Sequence, residues 1–249
     1  MHAQIVLFDG FDPLDVVAPF EVLHAGGTAS GGSVTVELVS AEGAREVVSG
    51  TGGLMLRATA ALDPERADLV LVPGASGRVS EPEGGPEEIF GEVPVGIPGA
   101  APGTQPAQGG AAPAEVADQP IPVLIGRTLT TRLPALLRAA MADPSVTVAT
   151  VCGGSLVLAL AGLLEGRHVT THHLGLDLLD ATGAHAVRAR VVDDGDLVTG
   201  AGVTSGLDLA LHLLEREAGP RIAHAVEELF AHERRGTVWR DRGPAPAEL

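Results

Sequence analysis

The sequence predicts an α/β domain whose core is a mostly parallel sheet with helices on both faces. Three observations carry this. β-branched apolar runs alternate with helical stretches along most of the chain. One run, "DLVLVP" from Asp68 to Pro73, is apolar almost throughout, as a strand covered on both faces must be. Another, Val146 to Val151, breaks at Cys152-Gly153-Gly154 directly into an apolar helix, the signature of a tight strand-to-helix turn.

The elements follow in order. Gln4 to Phe8 reads as a strand ending at Asp9-Gly10, and "DPLDVVAPFEVLHAGG" as a helix that opens on Asp and Pro and closes on glycines. Val34 to Ser40 is a second strand, and "GAREVVSGTGGLML" a small hairpin or extended excursion before Asp68 to Pro73. From Glu81 to Pro120 there are eight Gly and eight Pro in forty positions, too many for a regular element to persist. An insertion at about 78–127 is therefore expected inside a single domain spanning 1–249. Regularity returns with the helix "LPALLRAAMAD", the strand leading to Cys152 and a helix over Leu156 to Leu164. A strand over Arg167 to Thr171, a helix over Leu174 to Ala181 and two strands within Val187 to Thr199 around "DDGD" come next. Helices over Ser205 to Glu217 and Arg221 to Ala231 finish the fold, and a frayed tail is expected from about 236.

Composition narrows the chemistry. Thirty-two acidic residues against sixteen basic ones, all Arg, give a formal charge of −16, which argues against nucleic acid or an anionic membrane surface as a partner. Lys, Tyr and Asn are absent, so Schiff-base lysine chemistry, a P-loop, a tyrosine acid and an Asn-oriented Cys-His pair are all excluded. One cysteine cannot form an internal disulfide, and the opening "MHAQIVLFDG" lacks the pattern of a secretory leader. The most apolar window, Ser155 to Leu164, is too short to span a bilayer, which needs about 20 residues. A cytoplasmic protein is expected. The histidines, among them His24, His185, His212, His224 and His232, show no metal-ligand spacing, so no metal and no cofactor are expected.

Cys152 has two readings. A free cysteine is often a buried filler; at the carboxyl end of a strand, with Gly two positions later, it is also where an elbow presents a nucleophile. Helix N–H groups facing the sulfur would lower its pKa below the free value of about 8.5. Asp15, in the first turn of the first helix, is either a capping carboxylate or a proton carrier that burial beside a thiol would raise in pKa.

Three segments, "LDVVAPFEVL", "ATVCGGSLVLALAGLLEGRHVTTHH" and "TGAGVTSGLDLAL", resemble the ThiJ/PfpI (DJ-one-like) superfamily. They are most similar to its isonitrile hydratase branch and to the sensor-like domains of AraC-type regulators. The resemblance implies a flavodoxin-like three-layer sandwich with Cys152 as nucleophile on its elbow and Asp15 as the acidic partner. Gly153 stands where isonitrile hydratases carry Thr and PfpI-type proteases His, so neither that hydroxyl nor a Cys-His pair at this site is available. Gly153 can still donate a backbone N–H to an oxyanion, with Gly74 or Ala75 of "PGASG" supplying another. His172 and His173 match a family "TTHW"-like segment, with packing or the pocket as their places. Thr204 reads as a helix N-cap beside the pocket, and Asp208 as a helical acid with no evident partner. Glu21 is assigned a structural role. The activity implied is a cofactor-free, cysteine-dependent lyase hydrating an isonitrile to an N-substituted formamide. The alternatives are a glyoxalase- or deglycase-like enzyme on reactive carbonyls, and a ligand- or redox-sensing domain. A small-molecule substrate and a homodimer are expected by the same analogy. No late His-x-Glu pair supports a glutaminase triad.

Overall fold

The computed structural model describes residues 1–79, 116 and 119–244. The central sheet is formed by β1 (His2–Leu7), β2 (Thr35–Ser40), β5 (Ala60–Ala61), β6 (Leu69–Val72), β7 (Thr147–Val151), β10 (Val191–Asp193) and β11 (Leu197–Gly200). Their order is β10-β11-β7-β6-β1-β2-β5, and every pairing is parallel except β10 with β11. A small antiparallel hairpin, β3 (Arg45–Val48) with β4 (Met55–Ala58), and a two-residue parallel pair, β8 (His168–Val169) with β9 (His185–Ala186), stand apart from it. All four residues of β6 are buried, in keeping with the uninterrupted apolar run.

The helices fall into two groups. Helix α1 (Pro13–Ala29) packs against α6 (Ser205–Ala218) and α7 (Pro220–Phe230), while α2 (Ile121–Thr128), α3 (Leu133–Ala142) and α5 (Leu176–Ala181) pack around α4 (Gly154–Leu160). The chain moves from β1 to β2 in one direction and from β6 through β7 to β11 in the other. Right-handed crossovers therefore put the two helix groups on opposite faces of the sheet, giving three layers. Ile, Leu and Val fill the interior, with Phe8 and Phe11 the buried phenylalanines among the described residues. Among those residues no helix is long and apolar enough to cross a membrane.

Several boundaries differ from the sequence expectation for physical reasons. Helix α1 runs through Gly26 and Gly27 rather than stopping there, because these glycines serve packing: a Cβ on Gly26 would lie 2.4 Å from Leu214 of α6, and one on Gly27 2.2 Å from the Val34 carbonyl oxygen. Most of the expected insertion, residues 80–115, 117 and 118, lies outside the described residues. Its expected end does not stay irregular, since residues 121–128 form α2, which buries Leu124 and Ile125. Nor does the tail fray at 236. The Trp239 N–H donates to the Val191 carbonyl and the Trp239 carbonyl accepts from the Asp193 N–H, both at 2.9 Å, so the tail adds to the free edge of β10. Arg240 then grips Asp193 at 2.9 and 3.0 Å.

Candidate active site

Strand order reverses at β1, which has β2 on one side and β6 on the other; crevices beyond the carboxyl ends of strands at such a point are where α/β sheets bind ligands. Three neighbouring strand ends deliver the site. The loop after β1 leads into α1 and Asp15, the turn after β6 carries Gly74 and Ala75, and β7 ends at Cys152.

The cysteine is held in a strained conformation. Its φ of 54° lies in the left-handed region, which costs an L-residue other than Gly about 1–2 kcal/mol. Such a conformation persists only where its surroundings over-determine it. Here the Cys152 N–H donates to the Gly200 carbonyl at 3.0 Å, and the Thr171 hydroxyl donates to the Cys152 carbonyl at 2.7 Å. Gly154 permits the bend, since a Cβ there would lie 2.2 Å from the Val72 carbonyl oxygen. The elbow expected from "VCGGS" is present, with the glycine at +2 required by close approach.

Asp15 is fully buried and does not cap its helix. That role belongs to Asp12, whose Oδ1 accepts from the Leu14 N–H at 2.9 Å. Asp15 Oδ2 instead accepts from the Gly74 N–H at 2.9 Å, tying α1 to the turn after β6. Among the described residues Asp15 Oδ1 has no hydrogen-bond partner. A buried carboxylate oxygen without a donor is costly, so this atom is a ready place for a proton or a substrate group. Burial, then the nearby Asp12 carboxylate, push the Asp15 carboxyl well above the ordinary carboxylate range, against the hydrogen bonds from Gly74 and the Cys152 thiol. The upward direction is the one expected of a carboxyl buried beside a thiol.

The thiol departs from expectation. Cys152 is 7% exposed, and burial followed by the Asp15 carboxylate raises its pKa above that of a free thiol. The Gly153 N–H donates to the sulfur and lowers the pKa, but this one dipole does not outweigh desolvation in a site that already holds a carboxylate. At rest the group is a thiol, and the Asp15 carboxylate disfavours a second negative charge on the sulfur.

The remaining expected residues are placed as follows. Gly74 does not offer its N–H to an oxyanion, because Asp15 occupies it; a Cβ on Gly74 would also fall 2.6 Å from the Gly153 N. Of the expected donors this leaves the N–H groups of Gly153, which also interacts with the sulfur, and of Ala75, whose nitrogen lies 3.8 Å from where a Gly153 Cβ would sit. That same Cβ would be 3.4 Å from Ile125 Cδ1 of α2, an ordinary contact, so the space above residue 153 is bounded by an apolar side chain. The His172 and His173 rings lie 4.2 Å apart, tilted by 37°, and His172 Nδ1 accepts from the Leu174 N–H at 3.3 Å. Among the described residues neither imidazole bonds to Cys152. Burial, then His173, lower the His172 pKa, so its ring is neutral at physiological pH. Thr204 precedes α6, but its side chain makes no cap; exposed, it accepts from Arg190 at 3.2 Å. Arg190 is there to pair with Asp208, which is buried and also accepts from the Arg235 N–H at 2.7 Å and faces His232 at 3.3 Å. Asp208 thus has three partners that linear spacing could not reveal. Glu21 is exposed on α1.

Fold and site together define a three-layer α/β protein with a lone cysteine on a strand-to-helix elbow against a buried carboxyl. Residues 126–216 match the model of the DJ-1/PfpI family. Eighty residues are 50% identical to the isonitrile hydratase of Pseudomonas putida, covering 32% of this chain and 35% of that protein. Eighty-seven are 38% identical to the HTH-type transcriptional regulator CdhR of Pseudomonas aeruginosa, covering 34% of this chain and 26% of the regulator. The match thus spans about a third or less of these relatives. Drosophila melanogaster DJ-1beta superposes with a TM-score of 0.63 at 17% identity, over 93% of this chain and 98% of that one. A ThiJ/PfpI family protein from Pseudomonas syringae gives 0.61 at 22%, over 98% and 76%. These structures show the flavodoxin-like fold.

Proposed function

We propose that this chain is a cysteine-dependent, cofactor-free lyase acting on an isonitrile or an electrophile of similar size. The observation that carries the reading is the pair itself, a strained Cys152 electrostatically coupled to a buried Asp15 whose free oxygen has no donor. The 50% identity of eighty residues to isonitrile hydratase supports the choice of substrate.

In this reaction Asp15 takes the thiol proton as sulfur bonds to the terminal isonitrile carbon, then delivers that proton to the same carbon, leaving a thioimidate. The Asp15 carboxylate next removes a proton from water as its oxygen adds to the thioimidate carbon, and the proton passes to nitrogen. The tetrahedral intermediate collapses with cleavage of the carbon–sulfur bond. Its hydroxyl proton returns to sulfur, and an N-substituted formamide leaves. The Gly153 N–H, which faces the sulfur, stabilises charge there as the thiol proton leaves and again as the carbon–sulfur bond breaks. The Thr of isonitrile hydratases is replaced by Gly153, so the acid–base work falls to Asp15 alone.

Formamide production from cyclohexyl isonitrile, with Cys152→Ala as control, tests the assignment. Turnover in the wild type that vanishes in the variant supports it; no turnover in the wild type rejects this substrate. A second reading is favoured by the identity of about a third of the chain to transcriptional regulators: a domain in which the pocket binds a ligand without turning it over. Saturable isonitrile binding by calorimetry with no formamide formed would select it.

A further inference from the structure

We propose that Thr171 is a positioning residue for Cys152, fixing the Cys152–Gly153 peptide so that its N–H faces the sulfur. The proposal rests on the reading of Cys152 as a nucleophile, but not on the identity of its substrate.

The carbonyl of Cys152 and the N–H of Gly153 belong to one planar peptide and point in opposite directions. Anchoring the carbonyl therefore aims the N–H. The Thr171 hydroxyl donates to that carbonyl at 2.7 Å and is fully buried, so no water competes for it. The Gly153 N–H, on the far side of the same plane, is the local group that lowers the thiol's pKa against burial and the Asp15 carboxylate.

Thr171 is itself held on several sides. Its neighbour Thr170 receives the Ser155 hydroxyl on its carbonyl at 2.6 Å, donates its N–H to Thr199 Oγ1 at 2.8 Å, and donates its hydroxyl to the Ala189 carbonyl at 3.1 Å. Ser155 Oγ also bonds Thr150 Oγ1 at 2.6 Å, so β7, α4 and β11 all fix this segment. The Thr171 methyl packs beneath Gly175, where a Cβ would lie 3.3 Å from Thr171 Cγ2. Sequence reasoning passed over Thr171 for the histidines that follow it; the signal available was its place as the second Thr of "VTTHH".

The test is the rate of iodoacetamide alkylation, which reports Cys152 alone because the chain has no other cysteine. In Thr171→Val the donor is lost at nearly constant shape. The expected result is a rate about tenfold lower at pH 8 and a pH profile displaced upward by about one unit, since the thiolate fraction falls tenfold per unit below the midpoint. Thr171→Ser keeps the hydroxyl and is expected within about twofold of wild type. A merely structural role moves the rate the other way, because a loosened elbow exposes the sulfur. A Val variant as fast as or faster than wild type, or a Ser variant as slow as Val, would overturn the proposal. If circular dichroism shows that the Val variant does not fold, Ser is compared with Ala: a similar deficit in Ala alone upholds the proposal, and equal rates overturn it. Formamide assays on the same samples separate the two readings, since a tenfold alkylation effect without isonitrile turnover sinks the substrate and leaves Thr171 in its role.

Discussion

Gly154→Ala is the sharpest perturbation of the elbow. A Cβ at that position would stand 2.2 Å from the Val72 carbonyl oxygen, 3.0 Å from the Val72 carbonyl carbon and 3.1 Å from the Pro73 oxygen. Carbon and oxygen do not approach much closer than about 3 Å in folded proteins, so nearly an ångström of overlap must be absorbed, and the obstructing atoms are backbone rather than a side chain that can rotate away. The Val72 carbonyl belongs to β6, paired on both sides within the sheet, so the elbow must yield. Overpacking in a close-packed interior costs about 1–3 kcal/mol, and an obstacle of this kind belongs at the upper end. At about 2–4 °C per kcal/mol for a chain of this size, Tm falls by roughly 6–12 °C. Calorimetry reads the shift, and alkylation of Cys152 reports whether the turn has opened. A Tm within about 2 °C of wild type, with unchanged alkylation, would refute the claim that close approach requires the glycine.

Other outcomes follow from the charged groups. The Asp15 carboxyl is raised in the folded protein, so the folded state binds more protons than the unfolded one between the ordinary carboxylate value and the raised one. Stability is lost as pH rises through that window, and Asp15→Asn is expected to abolish the slope in urea titrations at pH 4 to 8; an unchanged slope contradicts the burial argument. Asp193 behaves oppositely. Burial opposes its charge, but the His212 ring, the Gly195 N–H, Arg240 and Arg216 outweigh burial and hold its carboxyl below the ordinary range. Its contribution is present above that range and lost as pH falls below it, so Asp193→Asn flattens the acid limb of the stability curve. Asp193→Ala also leaves buried His212 and the tail's own Arg240 without their carboxylate, costing roughly 2–3 kcal/mol by the usual worth of charged hydrogen bonds, with faster proteolysis after Arg240 as the second readout.

The legible parts were those that local rules govern. The run "DLVLVP", the turn "VCGGS" and the spacing of strands and helices declare a parallel sheet with a cysteine at its carboxyl edge, because burial on both faces and a crowded turn each leave a mark on consecutive residues. What stayed hidden depends on contacts between distant segments. Gly26 and Gly27 look like a helix stop until Leu214 and Val34 are seen pressed against them. Residues 236–240 look like a loose end until β10 offers them its edge. In the site, the structure brings together the Cys152 and Asp15 that the sequence singles out, but the sign of the thiol's shift is not legible there. A helix-start N–H is visible in sequence, whereas the desolvation and the neighbouring carboxylate that overrule it are not. Nor does the sequence decide between Gly74 and Ala75 as a second oxyanion donor, because the commitment of the Gly74 N–H to Asp15 is a contact across 59 residues of chain.

Alkylation of Cys152 at pH 9 in wild type and in Asp15→Asn tests the central claim most directly, that the Asp15 carboxylate disfavours a second negative charge on the sulfur. With the carboxylate removed, the sulfur ionises more easily, and the rate is expected to rise about tenfold or more. An Asn variant that alkylates at the wild-type rate would show that the two groups do not sense each other, and the coupled pair on which the mechanism depends would not exist.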